Sequence, residues 1–408
     1  MEQAFRGVIA IAFILLVAFL FSANKKNINW RTVFFALAIQ LSLGAFVLYI
    51  PFGKEALLNV SQGVNVILSH ANEGINFMFG HVADKGKGFV FALHVLPVIV
   101  FFSSFIAVLY HIGIMGVVIK VIGGGLQKLL NTSRPESLCA TANIFVGQTE
   151  APLVVKPFIN NMTQSELFAV MVCGLTSISG SIMSGYAGIG VELKYLIAAS
   201  FMSAPAGLLM AKLVMPETEQ TKDSLDELNE EDKTVNVIDA AAAGAVSGVS
   251  LAINVGAMLV AFIALISLVN GLLGGLGSLV GVENLTLQMI LGYLFQPIAF
   301  ILGVSWDEAH LAGSFIGQKI IANEFVAFLD FVSHKDQLSE HTNTIVTFAL
   351  CGFANLSSIA ILLGGLGSLA PKRRPDLVRL GVKALIAATL ANLMSASIAG
   401  LFTGLNSI

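Results

Sequence analysis

Charge is what this chain has least of. Of its 408 residues only 12% are Asp, Glu, Lys or Arg, against 56% hydrophobic, a balance that no water-soluble core of this size needs and that excludes an ordinary soluble domain. The net charge of -3 is small and no basic block occurs, so nucleic acid is not implied as a partner. Cysteine is almost missing: Cys139, Cys173 and Cys351 lie in or beside apolar segments with no CxxC spacing, which excludes a disulfide framework and leaves small buried apolar residues. The histidines (His70, His81, His94, His111, His310, His334, His341) form no HExxH and no pair at metal-ligand spacing, and neither a nucleophile elbow nor a P-loop is present. The inventory argues against an enzyme and against ATP as a driving force.

What is abundant is apolar sequence in runs of about 20 residues, the length that crosses a bilayer as a helix, and mean hydropathy is +0.85. Spans are expected at Phe5–Phe21, Thr32–Ile50, Phe89–Tyr110, Leu167–Tyr186, Leu193–Val214, Ala245–Leu272, Thr344–Leu366 and Leu380–Leu401. The first lacks a small-residue cleavage site and reads as retained. Lys25, Lys26 and Arg31 follow it, and Lys372, Arg373, Arg374 and Arg379 precede the last; the positive-inside rule puts both loops in the cytoplasm and both termini outside. The mixed stretch 53–88 reads as an amphipathic or partly buried helix on the outer side. The acidic stretch Glu217–Asp239 cannot span and reads as a cytoplasmic linker. Glycines clustered at 123–125, 271–277 and 364–367 are expected to let helices pack closely or bend.

Two segments are too polar for simple spans, Ser133–Pro157 and Ser305–Phe331. Each opens with Ser-x-x-Glu (Ser133 to Glu136, Ser305 to Glu308), a capping box, then reaches Gly-Gln (Gly147-Gln148, Gly317-Gln318) and an acidic residue, Glu150 or Glu324. A span with a shared start follows each: Cys173-Gly174-Leu175-Thr176-Ser177-Ile178-Ser179, then Cys351-Gly352-Phe353-Ala354-Asn355-Leu356-Ser357. Opposite orientations of the two units make this an inverted repeat whose discontinuous hairpins meet at a central polar site, as in secondary transporters. Intramembrane carboxylates are costly and mark function; the plainer alternative is that Glu150 and Glu324 pair with a lysine such as Lys156 or Lys319. The expected fold is therefore all-α and polytopic, with eight transmembrane helices, two re-entrant helical hairpins in an inverted repeat, and interfacial helices. Its parts are scaffold helices in 1–110, a first transport repeat in 111–214 with its hairpin at 133–157, the linker 215–244, a scaffold helix in 245–280, and a second transport repeat in 281–408 with its hairpin at 305–331.

With Gly147-Gln148-Thr149-Glu150-Ala151-Pro152, Asn323-Glu324-Phe325-Val326-Ala327 and Cys351 to Ser358 in place, the chain resembles the concentrative nucleoside transporter family, in its bacterial sodium-coupled branch, from first span to last. The resemblance implies a homotrimer in the bacterial inner membrane, with both termini periplasmic, that moves nucleosides such as uridine, cytidine and adenosine by an elevator mechanism. It assigns nucleobase binding to Gly147, Gln148, Thr149, Glu150, Ile182, Leu251 and Phe353, and ribose binding to Glu324, Asn355 and Ser358. It assigns the co-transported sodium ion to Asn143, Val146, Ser177 and Ile178, where side-chain oxygens and carbonyls freed by helix breaks suit a hard cation. Carboxylate and amide groups can bind an uncharged nucleoside without an ion pair. A sugar lacking its hydroxyls is expected to leave Glu324 buried and unpaired, and so to be strongly rejected. Membrane lipid is the other expected partner.

A proton-coupled nucleoside symporter, with Glu150 or Glu324 titrating, is the closest rival; a membrane-embedded enzyme and a passive channel rank behind it. Glu324→Gln is expected to abolish ribose recognition and uptake, whereas Ser177→Ala should mainly raise the sodium concentration required; wild-type uptake kinetics in both variants would overturn the assignment.

Overall fold

The computed structural model describes residues 2–83, 88–219, 234–279, 281–282 and 285–406, and among these the long regular elements are all helices. The outer elements of the first half are α1 (Glu2–Leu20), α2 (Trp30–Leu48), α3 (Pro51–Ser69), α4 (Ala71–Phe79), α5 (Phe91–His94), α6 (Leu96–His111) and α7 (Ile114–Leu130). Then come α8 (Arg134–Ala142), α9 (Lys156–Ile159), α10 (Gln164–Thr176), α11 (Gly180–Gly188) and α12 (Leu193–Val214). The second half holds α13 (Val237–Leu279), α14 (Leu287–Ile301), α15 (Trp306–Ile321), α16 (Glu324–His334), α17 (Glu340–Leu350), α18 (Leu356–Leu369) and α19 (Arg374–Asn406).

Burial sorts these helices into two classes. The apolar helices α1, α2, α6 and α13 leave most of their surface uncovered, and α13 is only 17% buried over its most apolar window, whereas the most apolar window of Gln164–Gly188 is wholly buried. Apolar side chains facing outward are stable only against lipid, so the buried centre, built from α10, α12, α17 and the middle of α19, is the protein's own interior. That centre is rich in Ser, Thr and Asn (Ser200, Ser203, Thr344, Thr347, Asn392, Ser395 and Ser397 are all buried). In hydrocarbon such groups would be unsatisfied; inside the bundle Ser203, Thr344, Thr347, Asn392, Ser395 and Ser397 all bond to backbone.

Seven helices among the described residues are long and apolar enough to cross a membrane, or eight if the bent pair α14 and α15, which meet at 116°, counts as one. Most expected spans are found, with two corrections. The span expected at Thr344–Leu366 is α17 and α18 separated by a break, 11 and 14 residues each, too short to cross alone. Asn355 causes the restart: its side chain accepts from the Ser358 N–H and caps α18. The expected span Leu167–Tyr186 is found within Gln164–Gly188, with the break expected at Ile178, after which Ser179 caps α11 through the Ile182 N–H. Finally, α13 begins at Val237, ahead of the expected Ala245 and inside the stretch assigned to the linker, because the Asn236 side chain accepts from the Asp239 N–H and the Asp239 carboxylate from the Val235 N–H. Residues 220–233 of that linker lie outside the described residues. Within the mixed stretch 53–88, most of α3 and all of α4 are helical as expected, while residues 84–87 lie outside the described residues.

Close packing comes from glycines other than most of those expected. A methyl group added at Gly244 or Gly248, one turn apart on α13, would lie 2.5 Å from the Ala107 Cβ or 2.7 Å from the Val100 Cα of α6. This small-xxx-small face lets the two backbones touch. Gly124, Gly125, Gly271, Gly274, Gly275 and Gly364 face open space, and of the clusters only Gly123, Gly277, Gly365 and Gly367 meet a neighbour.

The capping boxes differ between halves. Glu136 accepts from the Ser133 N–H at 3.2 Å as expected, but Glu308 accepts from the Ser339 N–H at 2.7 Å and from the Ser339 and Thr342 hydroxyls. It thereby tethers the start of α17. Glu136 also pairs with Lys212, whose ammonium donates to Ser165 at 2.9 Å and lies 3.6 Å from Glu217, joining the starts of α8 and α10 to the end of α12. Lys212→Met alone leaves Glu136 buried without its cation and should cost about 3–5 kcal/mol; adding Glu136→Leu should recover most of that. Thermal unfolding of the detergent-solubilised protein measures both, and equal stability of the single and double variants would contradict the pairing.

Candidate functional site

Three chain breaks converge. The first, Asn143 to Glu150, ends α8; the second, Ser177 to Ser179, divides α10 from α11; the third, Cys351 to Asn355, divides α17 from α18. Freed backbone groups bond across them: the Gly180 N–H donates to the Phe145 carbonyl at 2.9 Å and the Phe353 N–H to the Ser177 carbonyl at 3.2 Å. An added methyl at Gly174 would sit 3.2 Å from the Gln148 Cβ, so the first break packs directly on α10. A fourth break, Ala322-Asn323, turns α15 into α16, where the Asn323 side chain caps the new helix through the Val326 N–H and places Glu324 at its first position.

Between these breaks and α13 lies a cavity of about 530 Å³, within the range of about 300–1,000 Å³ usual for small-molecule sites. Gly147, Gln148, Thr149, Glu150, Ile182, Leu251 and Phe353 all line it, as do Glu324 and Ser358. Asn355 stands behind them: its Nδ2 donates to one Glu324 oxygen at 2.7 Å while the Tyr186 hydroxyl donates to the other at 2.9 Å. Every expected nucleobase or ribose residue is thus in the cavity wall or bonded to it. A larger, polar cleft of about 810 Å³ opens beside Lys212 and Glu136 but touches none of these residues.

The two carboxylates differ. Glu150 is exposed and accepts from its own loop, the Gly147 N–H at 2.9 Å. Glu324 is buried and held from two sides. Lys319, the alternative partner, turns away, donating to the Ala349 carbonyl and the Asn392 side chain, each at 2.7 Å. Glu324 already accepts two hydrogen bonds within the protein. The parallel between Gln148 and Gln318 also ends here: Gln318 lies inside α15 and donates to Asp330 at 2.6 Å, away from the cavity.

The four expected cation residues sit together at the first two breaks, all buried. Asn143 donates through Nδ2 to the Cys139 carbonyl at 2.9 Å, which leaves its Oδ1 buried without a hydrogen-bond donor. Ser177 donates to the Ile178 carbonyl at 3.3 Å, and Val146 and Ile178 lie in non-helical backbone. An orphaned amide oxygen beside unwound carbonyls fits a hard cation. Among the described residues no cluster of three His, Cys, Asp or Glu could hold a metal. Val146 and Glu150 also line a second cavity of about 470 Å³ against Ser103, Tyr110 and Ser181.

Several wall residues escaped the sequence reading. Asn254 and Met258 follow Leu251 at helical spacing on α13, which alone could have found them. Asn323 stood in a quoted motif without a role. Tyr186 had one signal, a hydroxyl in a helix otherwise small and apolar, which needs a partner when buried.

Comparison with known proteins gives three family matches: Na+ dependent nucleoside transporter N-terminus over residues 9–82, nucleoside recognition over 92–192, and Na+ dependent nucleoside transporter C-terminus over 195–400. The chain is 50% identical to the nucleoside permease NupC of Helicobacter pylori, with 98% of each chain covered. It is 38% identical to human sodium/nucleoside cotransporter 1, covering 94% of this chain and 62% of that one. The solved structure of CNTnw in an inward-facing substrate-bound state matches with a TM-score of 0.96 at 55% identity, covering 100% of this chain and 99% of that one. A substituted form of CNTnw in an outward-facing state matches at 0.97 and 55%, covering 99% of each chain.

Tyr186→Phe removes one of the two donors to Glu324 and should lower the stability of the empty protein by about 1.5–3 kcal/mol. A ribose hydroxyl can then take the vacated acceptor, so the thermal stabilisation produced by uridine should exceed that of the wild type. An unchanged uridine shift would mean that the sugar does not reach Glu324.

Proposed function

The chain belongs to the Na+ dependent, or concentrative, nucleoside transporter family, a family of multi-pass membrane transporters rather than enzymes, and from that premise we propose that it imports nucleosides across the bacterial inner membrane by symport with sodium. The observation that carries the proposal is the junction of two sites: a cavity walled by the base- and ribose-binding candidates, with Asn355 behind them on Glu324, and the unpartnered Asn143 oxygen at the first break. Glu324, oriented by Tyr186 and Asn355, accepts from the ribose hydroxyls, and Ser358 borders the same end. Gln148, whose Oε1 is buried without a donor, and Glu150 present acceptors to the base edge, with Gly147 and Thr149 beside them. Ile182, Leu251 and Phe353 supply its apolar walls.

Sodium enters as cargo. Bound by Asn143, Ser177 and the backbone at Val146 and Ile178, it fixes the first break and so sets Gln148 and Glu150 in place for the nucleoside. One cation moving down the membrane potential releases about 2.3 kcal/mol per 100 mV, enough to concentrate a neutral solute. We read α8–α9 and α15–α16 as re-entrant hairpins of an inverted repeat, with 111–214 and 281–408 as transport units and 1–110 and 245–280 as scaffold. The remaining parts of the reading are periplasmic termini, elevator movement and a homotrimer with lipid around it; the apolar outer surface of α13 suits contact with either lipid or a second copy.

Uptake of radiolabelled uridine by the purified protein in liposomes tests this directly. Accumulation with an inward sodium gradient alone is expected. Accumulation driven by a proton gradient without sodium would instead favour the proton-coupled alternative, with Glu150 or Glu324 titrating, and would remove the role given to Asn143 and Ser177.

A further inference from the structure

We propose that Asn392, held by Lys319, is the positioning residue that couples the cation site to the nucleoside site; the inference rests on the sodium-coupled reading above. Both α10 and α17 end inside the protein, at Thr176 and Leu350, and the last carbonyls of a helix have no partner within it. In water they would be hydrated, but here they need buried donors. Asn392, from the middle of α19 and 2% exposed, provides two. Its Nδ2 donates to the Thr176 carbonyl at 2.7 Å and to the Cys351 carbonyl at 3.1 Å.

Those two carbonyls belong to different sites. Thr176 immediately precedes Ser177, a cation candidate, and Cys351 lies two residues before Phe353, a wall of the nucleoside cavity. One amide group therefore sets the separation of the two breaks, which are also joined directly by the Phe353 to Ser177 bond. The orientation of the amide is forced. Its oxygen toward two carbonyls would be repelled, and the remaining neighbour is the Lys319 ammonium, which donates to Oδ1 at 2.7 Å. Lys319 also donates to the Ala349 carbonyl at 2.7 Å, setting a cation at the negative end of α17. It sits on α15, whose following break places Glu324 in the cavity. The contact is tight on every side: a methyl added at Gly352 would lie 2.5 Å from both the Asn392 Oδ1 and the Thr176 carbonyl oxygen. A shift of the second break on cation binding is thereby passed to Phe353 and, through Lys319, to the segment bearing Glu324.

The test is the coupling itself, the ratio of uridine dissociation constants without and with saturating sodium, measured by calorimetry on the purified protein with choline replacing sodium. A role in general stability would not move this ratio selectively. The wild type should show a ratio of tenfold or more. Asn392→Ala should reduce it at least fivefold, toward unity, and Asn392→Ser, which keeps one hydroxyl donor, should give an intermediate value and serves alone if the alanine variant does not fold. Ser395→Ala is the control. It removes the buried hydroxyl that accepts from Gln40 at 2.9 Å on the same helix, touches neither break, and should keep the wild-type ratio. A wild-type ratio in the Asn392 variants, whatever their absolute affinities, would overturn the proposal alone. A ratio of one in the wild type would overturn the sodium-coupled reading and this inference with it.

Discussion

The whole centre of this protein depends on one constraint: a backbone carbonyl or N–H freed from its helix inside a membrane must find a partner within the protein. An unbroken helix meets that constraint by itself and can do little else. A broken one exposes several polar groups at once, and the fold must answer them. Here the answers are specific. Breaks bond to each other through the Gly180 and Phe353 N–H groups, side chains of Ser179, Asn323 and Asn355 restart the helices, and Asn392 closes the carbonyl ends. Groups left over after that accounting, such as the Asn143 and Gln148 oxygens, are those with capacity for a ligand.

This logic explains the division between rigid and adaptable parts. Glu324 is buried and held by two donors, so its charge is oriented before any solute arrives. Glu150 has only its own loop, and the loop containing it is the least helical segment of the site. One carboxylate held by side chains of other helices and one bonded to its own loop suit the proposed order of binding, in which a cation completes the loop.

Much of this was legible in the sequence. Hydropathy alone placed most of the spans, because lipid contact imposes an unmistakable composition, and the motifs around Gln148, Glu324 and Asn355 named the cavity wall almost completely. What escaped has physical reasons. The interruption at Asn355 was hidden because its flanks are as apolar as a continuous span and the break is encoded in a single capping side chain, whereas the one at Ile178 was expected from the resemblance. The Gly-Gln repeat misled for the converse reason: a sequence parallel persists although Gln318 lies within a helix and Gln148 at a break. Close packing of α13 on α6 at Gly244 and Gly248 looked no different in sequence from glycines that face open space. Tyr186 and Asn392 act through partners distant along the chain, which no local pattern reveals.

The cavity has walls of two allegiances. Glu324, Asn355, Gln148 and Phe353 belong to the network of breaks, whereas Leu251, Asn254 and Met258 come from α13, whose hydrogen bonds among the described residues go to α6, α14 and its own flanks. The two sides of the cavity therefore answer to different parts of the fold: a substitution that loosens α13 against α6 at Gly244 or Gly248 disturbs the apolar wall and leaves the hydrogen-bonded one as it was.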